Sequence, residues 1–199
     1  MTSVSTLERQ NLIETNTRVS LGFWIYLMTD CVLFASLFAV YAVLHTNTVG
    51  GPSAKSIFDL HYVLLETVIL LTSSFTCGLA WLAAKDNDKT KALIGYGLTF
   101  LLGLCFLLLE LHEFNHLAVT GASWRRSGFL SAYFTLVGTH GLHITAGLIW
   151  MATMMVQVWK FGLKPGVTRR LTLLTLFWHF LDIIWIFIFS IVYLMGVIK

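Results

Sequence analysis

Five long apolar stretches run through the chain, and short segments rich in charged and turn-forming residues separate them. Each stretch reaches the roughly 20 residues that an α-helix needs to cross the hydrocarbon core of a bilayer. Glycine and proline stand in the connecting segments, as in residues 164–166. The pattern predicts an all-α polytopic membrane bundle of five transmembrane helices at residues 22–44, 62–84, 92–111, 130–159 and 171–197.

Composition narrows the class of protein further. The chain is 57% hydrophobic and 12% charged, with a mean hydropathy of +0.78. Soluble domains carry about twice that share of charged residues. The net charge of +3 is too small and too scattered for a nucleic-acid-binding surface. These values exclude a soluble enzyme and favour an integral membrane protein.

The positive charges predict how the bundle is oriented. Nine of the 13 Lys and Arg residues lie in the N-terminal segment and in the second and fourth connections. The positive-inside rule therefore predicts a cytoplasmic N-terminus and a periplasmic C-terminus. We expect a polar cytoplasmic tail at residues 1–20 and a single transmembrane domain at residues 21–199. The other four positive residues lie on the opposite side: Lys55, Arg125, Arg126 and Lys199.

Half of the ten acidic residues lie inside the apolar stretches. Placing a charged carboxylate in the hydrocarbon of a membrane costs several kcal/mol of free energy unless the acid is neutralised, paired or turned toward protein. The ionisable neighbours there are histidines. Two interpretations remain open: a device that handles protons, or a surface that docks against other membrane helices. Topology predicts an outer layer of Glu66, Glu110 and Glu113, accompanied by His112 and His116, and two deeper acids, Asp30 and Asp182.

The sequence His112-Glu113-Phe114-Asn115-His116 matches the His-Glu-x-x-His zinc pattern, so an intramembrane zinc protease is an alternative function. Such a site needs a third ligand, for which Asp182 or His143 are candidates. Glu113 and His116 also match half of a di-iron carboxylate site, but the second half is missing. A desaturase-like cluster with His140 lacks the required His-His pairs. We therefore expect no metal, and we expect His140 and His143 to bond carboxylates or hydroxyls of neighbouring helices.

Residues 178–185 (WHFLDIIW) form the densest polar motif of the apolar stretches. Trp178, Asp182 and Trp185 share one helix face, and His179 lies one turn from Asp182. This pattern favours a polar clasp between helices over a step in a proton relay. Asp30 is different because its own span offers no histidine and no base. We expect its surroundings to be completed by another helix, a lipid or another subunit, which makes Asp30 the foremost candidate for a buried functional acid.

At these residues the chain resembles subunit III of the haem–copper terminal oxidases. The strongest stretches are residues 22–30 (GFWIYLMTD), 127–134 (SGFLSAYF), 139–143 (THGLH) and 178–185 (WHFLDIIW). The likeness extends over nearly all of residues 22–196. Within the family the chain is most similar to the five-helix subunit III of the bacterial cytochrome o-type ubiquinol oxidases, and Glu66 is typical of quinol oxidases.

The resemblance implies a non-catalytic subunit of a proton-pumping ubiquinol:oxygen oxidoreductase in the bacterial inner membrane. It implies that haem, copper and ubiquinone belong to the partner subunit I, and that subunits I, II and IV are its partners. The chain would stabilise subunit I, form a phospholipid cleft and support proton uptake. The resemblance also implies that Gln157 stands where longer relatives have an Arg that meets a lipid phosphate, so Lys160 becomes the candidate phosphate ligand. Family positions are matched by Asp30, Glu113, His140, His143, His179 and Asp182.

Overall fold

The structure, a computed structural model, describes residues 2–45, 60–119 and 127–198, and it describes side chains from residue 17 to residue 196 within those ranges. The described residues are almost entirely helical and contain no strand. Four of the positive residues used to predict the orientation lie outside the described residues: Lys55, Arg125, Arg126 and Lys199. The helices are α1 (Thr2–Leu44), α2 (Leu60–Lys85), α3 (Lys89–Val119), α4 (Gly128–Phe161) and α5 (Pro165–Ile188), followed by a π-helical segment (Phe189–Leu194) and a last turn, α6 (Met195–Ile198).

All five predicted spans are confirmed, because α1 to α5 are each long and apolar enough to cross a membrane. Three boundaries differ by more than three residues from the sequence pattern, and one of them is the start of α5, at Pro165 instead of residue 171. The first helix already begins at Thr2, so the N-terminal segment continues directly into the first span. The third helix continues past residue 111 to Val119, and Leu117 of this extension is buried in the bundle.

Residues typical of helix ends mark where the helices begin and stop at the two tight turns. Asp88 Oδ1 accepts a hydrogen bond from the Lys91 backbone N–H at 3.1 Å, and thereby caps the start of α3. This hydrogen bond holds the pKa of Asp88 below its ordinary value. Gly162 ends α4 with a φ of +70°, and Pro165 starts α5 at a position where its missing N–H costs nothing.

The helices α2 to α5 form a ring, in which α2 contacts α3, α3 contacts α4, α4 contacts α5, and α5 contacts α2 again. The first helix lies outside this ring against α4 and α5. Only 22% of its most apolar window is buried, compared with 50% for α5. Most of α1 therefore faces the membrane or a partner. We call the end of the bundle with residues 86–88 and 162–164 the turn end, and the opposite end the open end.

Small residues let the helices of the ring approach closely around Trp178, which is fully buried. A Cβ atom built on Gly103 of α3 would lie 2.7 Å from the Trp178 ring, and one on Gly147 of α4 would lie 3.1 Å from it. Gly95 makes a similar approach to Ala80 between α3 and α2. The indole therefore occupies a slot that exists only because these positions carry no side chain.

We predict that Gly103→Ala destabilises the protein by about 1–3 kcal/mol, since the new methyl group must displace a buried ring. Gly97→Ala on the same helix is the matched control, because nothing lies within 4 Å of a Cβ atom there. The midpoint of thermal unfolding of the purified protein should fall for the first variant and stay level or rise for the second. Equal midpoints in both variants would contradict this packing.

Candidate functional site

Asp30 on α1 meets His143 on α4. Its Oδ1 lies 3.8 Å from His143 Nε2, and both side chains are largely buried. The other ring nitrogen, Nδ1, donates to the Thr139 carbonyl at 2.8 Å, because a carbonyl can only accept. His143 Nε2 therefore faces the carboxyl either as an acceptor or as the donor of a doubly protonated ring. At this separation the two side chains are in electrostatic contact across the helix interface and do not form a hydrogen bond.

The partner of Asp30 thus comes from a neighbouring helix, as expected for an acid without a base in its own span. The Tyr26 hydroxyl, one turn earlier on α1, lies close to the same carboxyl. The second carboxyl oxygen, Oδ2, has no hydrogen-bond partner among the residues that the structure describes. Because α1 packs mainly against α4 and α5, this pair helps to join the outer helix to the bundle.

The polar face of α5 contacts α2. Trp178 Nε1 donates to Ser73 Oγ at 3.0 Å, and Trp185 Nε1 donates to Thr67 Oγ1 at 3.1 Å. Asp182, between the two tryptophans, lies beside Ser74 of the same helix α2. Toward the turn end, Trp81 Nε1 of α2 also donates to Thr172 Oγ1 of α5 at 3.0 Å, and Cys77 Sγ donates to Thr175 Oγ1 at 3.8 Å, so hydrogen bonds extend along this helix contact.

His179 contributes less to this contact than its spacing from Asp182 suggests. Its Nδ1 donates to the Thr175 carbonyl at 2.7 Å. Its Nε2 faces Gly78 of α2, at 3.9 Å from a Cβ atom built there. The two side chains interact electrostatically, but no hydrogen bond between them is resolved.

His140 has different surroundings from those expected. Neither ring nitrogen has a hydrogen-bond partner within the described ranges, so the interpretation of this imidazole as a donor to a carboxylate or hydroxyl is wrong. The ring instead stacks on Trp185 at 5.3 Å and meets the edges of Phe106 and Phe34 at 6.1 and 6.3 Å. His140 is fully buried and acts as an aromatic core residue that connects four helices.

A second polar cluster lies toward the open end, and we call it the carboxyl layer: Glu66, Glu110, Glu113, Tyr133 and Tyr193. The three glutamates are close enough to interact electrostatically. Tyr193 Oη donates to Glu113 Oε2 at 3.4 Å, and the hydroxyls of Tyr133 and Tyr193 are 2.8 Å apart. The structure therefore brings together the three acids that topology assigned to one layer.

The two histidines expected in this layer face outward. His112 and His116 are both exposed on α3. The proposed third zinc ligands are engaged elsewhere, since His143 lies against Asp30 and Asp182 lies beside Ser74. In the part of the chain that the structure describes, no group of three or more His, Cys, Asp or Glu side chains is arranged to hold a metal ion. Nothing in this geometry favours the zinc protease.

At the turn end, Arg170 Nη1 donates to Gln157 Oε1 at 3.0 Å. Arg170 therefore supplies a positive charge at the position where Gln157 has none. Lys160, the sequence candidate for this charge, is exposed about one turn farther along α4. The sequence reasoning missed Arg170 because it considered positions on α4 alone. The three-residue connection 162–164 turns α5 back along α4, and this short length is the sequence feature that predicts a contact between the two helices at this end.

Comparison with known proteins agrees with this architecture. The family model for cytochrome c oxidase subunit III matches residues 1–197. The cytochrome bo(3) ubiquinol oxidase subunit 3 of Pseudomonas aeruginosa is 58% identical over 175 residues, which cover 88% of this chain and 84% of the relative. The subunit of the same name from Buchnera aphidicola subsp. Baizongia pistaciae is 45% identical, with 96% and 100% covered.

A protein named cytochrome c oxidase subunit 3, from Bacillus sp. strain PS3, is 44% identical, with 96% of this chain and 92% of the relative covered. The match thus extends over the whole bundle and includes relatives named for two kinds of oxidase. With five helices able to span a membrane, the chain is a multi-pass protein of the bacterial inner membrane. It belongs to the cytochrome c oxidase subunit III family.

Proposed function

We propose that this chain is the non-catalytic subunit III of a proton-pumping, cytochrome o-type ubiquinol:oxygen oxidoreductase. The observation that carries the proposal is the similarity, along almost the whole chain, to proteins named cytochrome bo(3) ubiquinol oxidase subunit 3. Haem, copper and ubiquinone then belong to the partner subunit I.

The direct task of the chain is to stabilise subunit I within an assembly that also contains subunits II and IV. Its largely uncovered helix α1 supports this role, since one side of α1 contacts α4 and α5 while the rest faces away from the ring. Bound phospholipid is the second part of the proposal. Arg170, held on Gln157, and the exposed Lys160 supply positive charge at the turn end, where a lipid phosphate would lie.

The Asp30–His143 pair is the candidate for the support of proton uptake. It joins two titratable side chains from neighbouring helices, and α1 places it near the outer face of the bundle, where a partner subunit would lie. Three other polar residues in the middle of the bundle have structural explanations. Trp178 and Trp185 join helices, and His140 packs among aromatic rings.

We predict that Asp30→Asn leaves the subunit in the purified oxidase but slows steady-state proton uptake about fivefold, equal to about 1 kcal/mol in barrier height. Asn keeps the size of Asp but cannot hold an exchangeable proton. Asp86→Asn, which changes an exposed acid in the α2–α3 turn, is the matched control. Unchanged uptake in Asp30→Asn would show that Asp30 has no proton role, and loss of the subunit from the complex would assign it to assembly.

The proposed orientation places the turn end in the cytoplasm. Every described Lys and Arg lies at the turn end or in the N-terminal half of α1, which supports this direction. A membrane-impermeant maleimide should label Asp86→Cys in inverted membrane vesicles and not in spheroplasts. The parent protein, whose Cys31, Cys77 and Cys105 lie within the spans, controls for background labelling. Labelling in spheroplasts alone would reverse the proposed topology.

A further inference from the structure

The carboxyl layer contains two acids without a hydrogen-bond partner. Glu66 is completely buried and Glu110 is 1% exposed. All four of their carboxyl oxygens lack a hydrogen-bond partner among the described residues. The Glu110 carboxyl rests on the α4 backbone, since a Cβ atom built on Gly141 would lie 3.2 Å from its Oε1. Protein thus encloses both groups, and they interact with each other across α2 and α3.

No described cation balances this layer. The described Lys and Arg residues lie toward the turn end, at the other side of the membrane core. A charged carboxyl enclosed in this way costs several kcal/mol, and a second one nearby adds repulsion. The described donors also form no group that suits a metal ion. A bound proton removes the charge from each carboxyl without requiring additional space.

Within the layer, hydrogen bonds join the half-buried Glu113 to the two tyrosines. Glu113 accepts from Tyr193, whose hydroxyl is 2.8 Å from that of Tyr133. Tyr193 belongs to the π-helical segment, and its neighbour Val192 accepts a hydrogen bond from Tyr41 Oη on α1 through its carbonyl. Insertions of this kind within helices often occur at functional sites. The π-helical segment therefore carries a residue that hydrogen-bonds both Glu113 and Tyr133.

We propose that the carboxyl layer is a proton-binding site, in which Glu66 and Glu110 hold protons that Glu113 exchanges with the surface at the open end. A proton passes from water to Glu113 and on to Glu110, and it returns by the same route, without transfer of electrons. Among the described residues, the other titratable groups at this end are Tyr41 and His45 on α1, Tyr62 and His61 on α2, His112 and His116 on α3, Tyr133 on α4 and Tyr193 after α5. This site is separate from the Asp30–His143 pair and goes beyond the proposed function.

Infrared spectroscopy of the protein, purified from its membrane with every subunit that accompanies it, tests the site. The C=O stretch of a protonated carboxylic acid is distinct from carboxylate bands and shifts in D₂O. Glu66→Gln and Glu110→Gln should each remove one such band. Tyr193→Phe should keep the bands but slow their exchange in D₂O severalfold. Asp86→Asn, at the turn end, is the matched control and should leave bands and exchange unchanged.

Two results would overturn the proposal. One is a set of carboxylic acid bands that persists unchanged in both Gln variants. The other is failure of both variants to accumulate in the membrane. Gln closely matches a neutral Glu in size, so a neutral carboxyl should tolerate the change, whereas a charged carboxyl that binds a partner's cation should not. Because the readout follows carboxyl groups of this chain, it does not depend on which enzyme the chain accompanies.

Discussion

The contact between α2 and α5 closes the ring of four helices, and the positions of the polar groups inside the bundle depend on it. In a membrane, helices gain little from burying apolar surface against each other, so close packing and hydrogen bonds decide how they associate. Trp178 meets both requirements, since its ring lies against Gly103 and Gly147 and its N–H bonds Ser73. Trp185 bonds Thr67 and also supports the ring of His140.

This arrangement of helices accommodates the acids inside the bundle in two different ways. Asp30, on the outer helix, finds a histidine on α4, so two ionisable groups balance each other across a helix contact. Glu66 and Glu110 lie inside the ring, where the helices bring them together without a described base. One arrangement is a pair at the edge of the bundle and the other is an enclosed layer. The two arrangements involve different pairs of helices, α1 with α4 in the first and α2 with α3 in the second.

Much of the architecture follows from the sequence. Apolar stretches and turn residues predict five spans, and helical spacing places Trp178, Asp182 and Trp185 on one face. The absence of a base near Asp30 also correctly predicts a partner on another element. These inferences succeed because each uses the geometry of one helix and the cost of a charge in hydrocarbon.

Other features depend on contacts between distant segments, which spacing within one helix does not encode. His140 has the sequence signature of a ligand, but Phe34, Phe106 and Trp185 arrive from three other helices to surround it. Arg170 reaches Gln157 only because α5 folds back on α4. The Tyr133–Tyr193 hydrogen bond involves a residue of the π-helical segment, and the spacing of apolar residues does not predict that segment.

Under the proposed function, this chain supports an oxidase without taking part in its redox chemistry. The decisive measurement compares the ubiquinol oxidase activity of the complex purified with and without this chain, followed through prolonged turnover. We expect equal haem content and similar initial rates, with activity declining faster over successive turnovers when the chain is missing. Loss of haem or of the initial rate in the depleted complex, or equal persistence of the two preparations, would contradict this role.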